Sequence, residues 1–139
     1  MEADEFLLWC QTQEDSYELV DGVPVLKYDN GPEMMAGGTR RHATIVGNLH
    51  DALRARLRGS PCKPYLGDLF AVRTALRKER RPDIVVDCSE GDWADLAASE
   101  PTLLFEVLSP SSEREDLVWK PEEYKRLDTV QQYVAVYPD

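Results

Sequence analysis

Residues 103–108 read Leu-Leu-Phe-Glu-Val-Leu, an almost continuous apolar run of strand length. A strand with one face in water alternates apolar and polar residues, whereas a run like this one belongs in the middle of a sheet covered on both faces. A central sheet with other elements packed against it is therefore expected to organise the fold. Glu106 interrupts the run. A charged carboxylate at that place is costly unless it is paired or bound to a cation.

The other elements can be read around that strand. Residues 3–12 predict a short helix with Phe6, Leu7 and Cys10 on one side. Asp21-Gly22 between two apolar runs, residues 17–20 and 23–28, is a strong short hairpin signal. Residues 30–38 turn to Gly, Pro and polar side chains and predict a loop. Thr39 can cap a helix over residues 40–58, where Ile45, Val46, Leu49, Ala52, Leu53 and Leu57 recur at helical spacing. Strands are expected over residues 63–66, 69–75 and 83–87, separated by Gly67-Asp68 and by the charged stretch 77–81. After a loop over 88–100 and the central strand, Ser109-Pro-Ser-Ser starts a helix over about 112–127, and residues 130–137 supply a last strand. With 139 residues and no internal repeat, one α/β domain is expected over residues 1–139.

Composition narrows the function classes. The chain lacks a run of about 18 uncharged apolar residues, and its start, Met-Glu-Ala-Asp-Glu, is acidic where a secretory signal would be basic. A cytoplasmic protein without a membrane partner is expected. Cys10, Cys62 and Cys88 are odd in number and widely spaced, fitting neither a disulfide framework nor a CxxC zinc site, so they read as reduced, partly buried thiols. The net charge of −10 counts against a polyphosphate partner. Yet Arg54, Arg56 and Arg58, then Arg73, Arg77, Lys78, Arg80 and Arg81, bunch in the middle third and can form a local basic face.

Asp83 follows Pro82 at the start of its strand. If that strand neighbours the one carrying Glu106, both carboxylates point into one cleft, where at about 4 Å they repel by about 4 kcal/mol at an effective dielectric near 20. A divalent cation relieves that repulsion. Hard oxygen ligands suit Mg²⁺ or Mn²⁺, which hold a phosphate and acidify a bound water. A buried Arg or Lys paired with Glu106 satisfies the same carboxylate without a metal. Lys120, on the next helix, can reach back over the strand's end to position water, or can form an ordinary helix pair with Asp116 four residues earlier. His42 lies near the apolar side of its helix and close to its start, which suits a phosphate or water contact as well as a hydrogen-bonded boundary residue. His50 has a weaker claim. Glu18 is either a third acid of the cleft or a surface residue of the first hairpin.

The ordered set Tyr17-Glu-Leu-Val-Asp-Gly22, His42, Pro82-Asp83, Glu106-Val-Leu-Ser-Pro110, Asp116, Lys120 and Tyr124 resembles the Uma-type restriction endonuclease family, within the PD-(D/E)XK nuclease superfamily. The resemblance implies a restriction-endonuclease-like fold: a mixed central sheet flanked by helices, preceded by an N-terminal β-hairpin. It implies Asp83 and Glu106 as metal ligands, Mg²⁺ or Mn²⁺ as cofactor, and hydrolysis of DNA phosphodiesters. The superfamily places a Lys two residues after the second acid, where this chain has Leu108; Lys120 matches the lysine that this family takes from the following helix. Glu18 and His42 match family positions as accessory residues, and Arg54 and Arg58 are the candidate nucleic-acid contacts. Family members continue past the last strand with a further hairpin, whereas this sequence stops at Asp139. An uncovered sheet edge and a homodimer would follow. The alternatives to a DNA nuclease are a catalytically inactive interaction module that binds a protein partner and a phosphoesterase acting on a small nucleotide.

Overall fold

The computed structural model describes residues 1–27, 39–67, 70–109 and 115–138. Along them run α1 (Ala3–Cys10), β1 (Tyr17–Val20), β2 (Val23–Leu26), α2 (Arg40–Leu57), β3 (Lys63–Leu66), β4 (Val72–Ala75), β5 (Lys78–Arg80), β6 (Ile84–Asp87), β7 (Pro101–Val107), a π-turn (Glu115–Trp119), α3 (Lys120–Tyr124) and β8 (Gln132–Val136).

The strands form two four-stranded sheets, β2-β1-β5-β4 and β3-β6-β7-β8. In the second, β7 pairs antiparallel with β6 and parallel with β8, so the sheet is mixed and the apolar run occupies an inner position, as its sequence requires. The N-terminal hairpin forms where expected. Asp21 and Gly22 both take positive φ, 50° and 83°, the backbone that lets a two-residue turn follow the right-handed twist of its strands.

The first sheet contains a strand that the sequence pattern concealed. Residues 77–81 look like a charged spacer, but Lys78–Arg80 pairs with both β1 and β4. Its side chains are buried by ion pairing instead of by hydrophobicity: Glu79 accepts from Arg73 Nε at 2.8 Å, and Arg80 donates to both oxygens of Glu123 at 2.9 and 2.6 Å. Alternation rules built on apolar residues do not detect a strand of this kind.

Two apolar clusters fill the interior. Phe6, Leu7, Leu19 and Ala71 pack under α1, and Val72, Val85, Leu104 and Tyr124 join the two sheets to α3. Helix α2 is capped by Thr39, whose hydroxyl accepts from the His42 backbone N–H at 3.2 Å. Its apolar stripe, Ile45, Val46, Leu49, Leu53 and Leu57, is only half-buried, with Ala52 exposed. No helix among the described residues is long and apolar enough to cross a membrane. The loop expected over 30–38, Leu69, the helix start at 112 and the end at Asp139 lie outside the described residues.

The cysteines depart from expectation. Cys62 and Cys88 flank β3 and β6 next to the Lys63↔Asp87 pair and are joined in a disulfide, leaving Cys10 as the free thiol. Their separation of 26 residues gave no hint of this, because antiparallel register and not chain spacing brings the two sulfurs together.

Candidate active site

Register places the two carboxylates. Ile84 stands opposite Phe105 in the antiparallel β6–β7 ladder, so one further step sets Asp83 opposite Glu106. Directly opposed residues project from the same face of a sheet. Both are buried, with 5% and 2% exposure. Gly67 makes this arrangement accessible: a Cβ there would lie 1.3 Å from the Pro82 carbonyl oxygen, so only glycine lets β3 end against the Pro82-Asp83 backbone.

Asp83 is held as an anion. Its Oδ1 lies 3.1 Å from Lys27 Nζ and 3.2 Å from His42 Nε2, and its Oδ2 accepts from the Val107 backbone N–H at 2.7 Å. Burial pushes this carboxyl up, but the bond to His42, the Lys27 charge and the Val107 N–H outweigh it and keep Asp83 well below the usual carboxylate range. Glu106 goes the other way. Burial drives its pKa well above normal, with the Asp83 and Asp116 charges adding to the rise and those of Lys120 and Lys27 opposing it. Two opposed acids therefore differ in charge preference because of their surroundings.

Lys120 lies at the centre of the remaining charges. Its Nζ is 3.1 Å from Glu106 Oε1, 2.8 Å from Asp116 Oδ1 and 3.7 Å from Glu18 Oε1. Burial lowers its proton affinity, yet the charges of Glu106 and Glu18 and its other neighbours raise it well above that of an ordinary lysine, so it is a firm cation. Lys120 pairs with Asp116 of the turn that leads into α3 and reaches Glu106 across to the sheet. Likewise, Glu106 has the buried lysine partner that the metal-free alternative requires. The Tyr124 hydroxyl is buried beside these charges and has no hydrogen-bond partner among the described residues.

Glu18 is a buried residue and not a surface one, at 4% exposure. Its Oε2 accepts from the Arg81 N–H at 2.6 Å, while Oε1 faces Arg80 Nη1 at 3.4 Å. Burial raises its pKa, but the Lys120, Arg80 and Lys27 charges and the Arg81 N–H together bring it below the ordinary value. Burial raises the Glu123 pKa, but the bonds and charge of Arg80, the Lys78 charge and the Thr74 hydroxyl together bring it below the ordinary value, and Arg80 clamps the first hairpin to α3.

The structure thus gathers Asp83, Glu106, Lys120, Glu18 and His42 in one place. Arg54 and Arg58 stand elsewhere, at the far end of α2 from His42, in a cleft that also contains His50. Sequence reading missed Lys27 and Glu123. Lys27 lies within the run 23–28, where nothing local marks it, yet its side chain is 4% exposed. Glu123 carried one signal, its position three residues after Lys120 on the same helical face.

The donor set suits a hard divalent cation. Two carboxylate side chains on one face supply the oxygen ligands from which Mg²⁺ is held together with waters and substrate phosphates. Among the described residues no group of three or more His, Cys, Asp or Glu side chains is arranged to enclose a metal on its own. Asp83 and Glu106 would be the residues to hold the ion.

The chain is similar to known proteins in sequence and in fold. The family described as "Uma2: Putative restriction endonuclease" matches residues 3–139. An uncharacterized protein of Synechocystis sp. is 28% identical over 134 residues, which is 96% of this chain and 66% of the relative, so the chain spans just under two thirds of that relative's length. The crystal structure of a "putative nuclease belonging to DUF820" from Anabaena variabilis superposes with a TM-score of 0.70 at 18% identity, covering 100% of this chain and 75% of that one. That likeness establishes the shared fold, a nuclease-like arrangement of mixed sheet and helices.

Proposed function

Given that the chain belongs to the Uma2 family of restriction-endonuclease-like proteins, we propose that it is a divalent-metal-dependent nuclease that hydrolyses DNA phosphodiester bonds. The observation that carries the reading is the opposition of Asp83 and Glu106 on paired strands, with Lys120 Nζ 3.1 Å from Glu106. Mg²⁺ or Mn²⁺ held there would polarise a phosphate oxygen and acidify a bound water. Asp83 enters this role already ionised, oriented by Lys27, His42 and the Val107 N–H. Lys120 donates to the attacking water or to the phosphate oxygens as negative charge develops on them. His42 is an accessory residue that fixes Asp83, and Glu18 holds Lys120 against α3's end of the site. A homodimer joined at the edge strand β8 belongs to the same reading.

A second reading also has an observation in its favour. Lys120 satisfies Glu106 directly, so the buried charges are balanced without a metal, as an inactive interaction module binding a protein partner would need. Cleavage of plasmid and oligonucleotide DNA with Mg²⁺ or Mn²⁺, beside EDTA controls and Asp83→Ala and Glu106→Ala proteins, separates the two. Metal-dependent cutting abolished by either substitution supports the nuclease; a folded wild type that never cuts supports the module.

A further inference from the structure

Most cations with a described partner in this chain are engaged in or near the two sheets: Lys27 with Asp83, Arg73 with Asp4 and Glu79, Lys78 with Asp21, Arg80 with Glu123, and Lys120 with Glu106. Arg54, Arg58 and Lys63 differ. Each is without an ion pair among the described residues, and all three line a single cleft of about 460 Å³ between the C-terminal half of α2 and β3. His50 and Tyr65 complete its walls, with the His50 ring 3.2 Å from the Pro64 carbonyl oxygen. Three unpaired cations facing one cleft, in a chain of net charge −10, constitute a local anion seat that the overall charge hides.

The position of the cleft identifies its ligand. Two independent elements lead from it to the carboxylates. From Arg54 to His42, which touches Asp83, α2 runs twelve residues, or about 18 Å at 1.5 Å per residue. Along the sheet, Lys63 is opposite Asp87, four residues from Asp83, or about 13 Å at 3.3 Å per residue. A duplex advances about 3.4 Å along its axis per base pair, so these lengths correspond to roughly four to five base-pair steps. An extended polyanion with regular charge spacing fits both the cleft and its distance from the acids; an isolated small anion has no use for the separation.

We infer that the Arg54–Arg58–Lys63 cleft seats the phosphate backbone of a nucleic acid about four to five nucleotides from the bond held at Asp83 and Glu106. This rests on the nuclease reading for its geometry, but its test is binding and not cleavage. Fluorescence anisotropy is measured with a labelled DNA duplex and no divalent metal, in an Asp83→Ala background that cannot use the acids. Loss of three phosphate contacts in Arg54→Ala/Arg58→Ala/Lys63→Ala is expected to weaken binding by at least about tenfold at low salt and to reduce the slope of log affinity against log salt by about three. Arg54→Lys/Arg58→Lys retains most of the binding. Arg56→Ala, on the same helix outside the cleft, leaves the slope within one unit. Inorganic phosphate at matched ionic strength does not compete, and flanks shorter than about four base pairs lose their dependence on the three cations. A wild-type cleft that binds no duplex at low salt, a triple variant with unchanged slope, or displacement by inorganic phosphate overturns the proposal, whether or not the protein cuts. Binding lost in the triple variant of a protein that never cuts upholds the cleft and removes the nuclease reading alone.

Discussion

Lys120 Nζ lies 3.1 Å from Glu106 and 2.8 Å from Asp116, so one ammonium bridges the central strand and the turn that precedes its own helix. Removing one member of a buried ion pair leaves its partners charged and unsolvated, which costs about 3–5 kcal/mol. Lys120→Met is therefore expected to lower unfolding free energy by about that amount. Adding Glu106→Gln should recover part of the loss, because the uncompensated carboxylate disappears with it. Urea denaturation of the single and double variants measures the coupling; strictly additive losses would show that the two groups do not interact.

Glu106 bears the strain of the site. Burial favours its neutral form, and the Asp83 charge adds to that preference. Replacing it with the neutral isostere in Glu106→Gln should abolish cleavage while costing less stability than Lys120→Met, because Lys120 keeps Asp116 and Glu18 as partners. Wild type should gain thermal stability on addition of Mn²⁺, since a ligand that binds only the native state stabilises it by mass action. The variant should gain little. Equal Mn²⁺ shifts in both proteins would remove Glu106 from the ligand set.

How much of this was legible in the sequence depends on how each contact is made. The inner strand, the hairpin turn and the capped helix follow from local patterns, because apolar periodicity and positive-φ turn residues are properties of neighbouring positions. Asp83, Glu106 and Lys120 were legible for a related reason: a charge set inside or beside an apolar strand demands a partner. Strand β5 was not legible, because Glu79 is buried against Arg73 of the neighbouring strand and Arg80 against Glu123 and Glu18, which are 43 and 62 residues away. Lys27 stayed hidden for the same cause, since its contact with Asp83 spans 56 residues.

Acid should loosen the clamp between the first hairpin and α3. Glu18 and Glu123 both titrate below their ordinary value of 4.5 in the folded chain. A carboxyl depressed on folding contributes stability that is complete above its unfolded pKa and is lost as pH falls through the folded one. Melting temperature should thus decline as pH drops below 4.5. Glu123→Gln should start lower at neutral pH, having lost its ionic bonds to Arg80, and should fall less on acidification. A variant that tracks wild type at every pH would place the acid sensitivity elsewhere.

The Cys62–Cys88 bridge closes a loop with a sequence separation of 26 residues, and cross-links of that order restrict the unfolded chain by about 2–4 kcal/mol. Reductant should lower the melting temperature of the wild type. Cys88→Ser should start at the reduced value and ignore reductant, while Cys10→Ser, which touches the free thiol alone, should behave as wild type. The acids should be spared as long as the sheet stays folded. Cys88 lies just beyond the end of β6 opposite Asp83, and Asp83 is fixed by its own bonds to Lys27, His42 and Val107. Reduction that left the melting temperature unchanged would mean the bridge does not form in solution. Reduction that stopped cleavage by a still-folded protein would tie the acid pair to the far end of its strand, against the independence that these bonds predict.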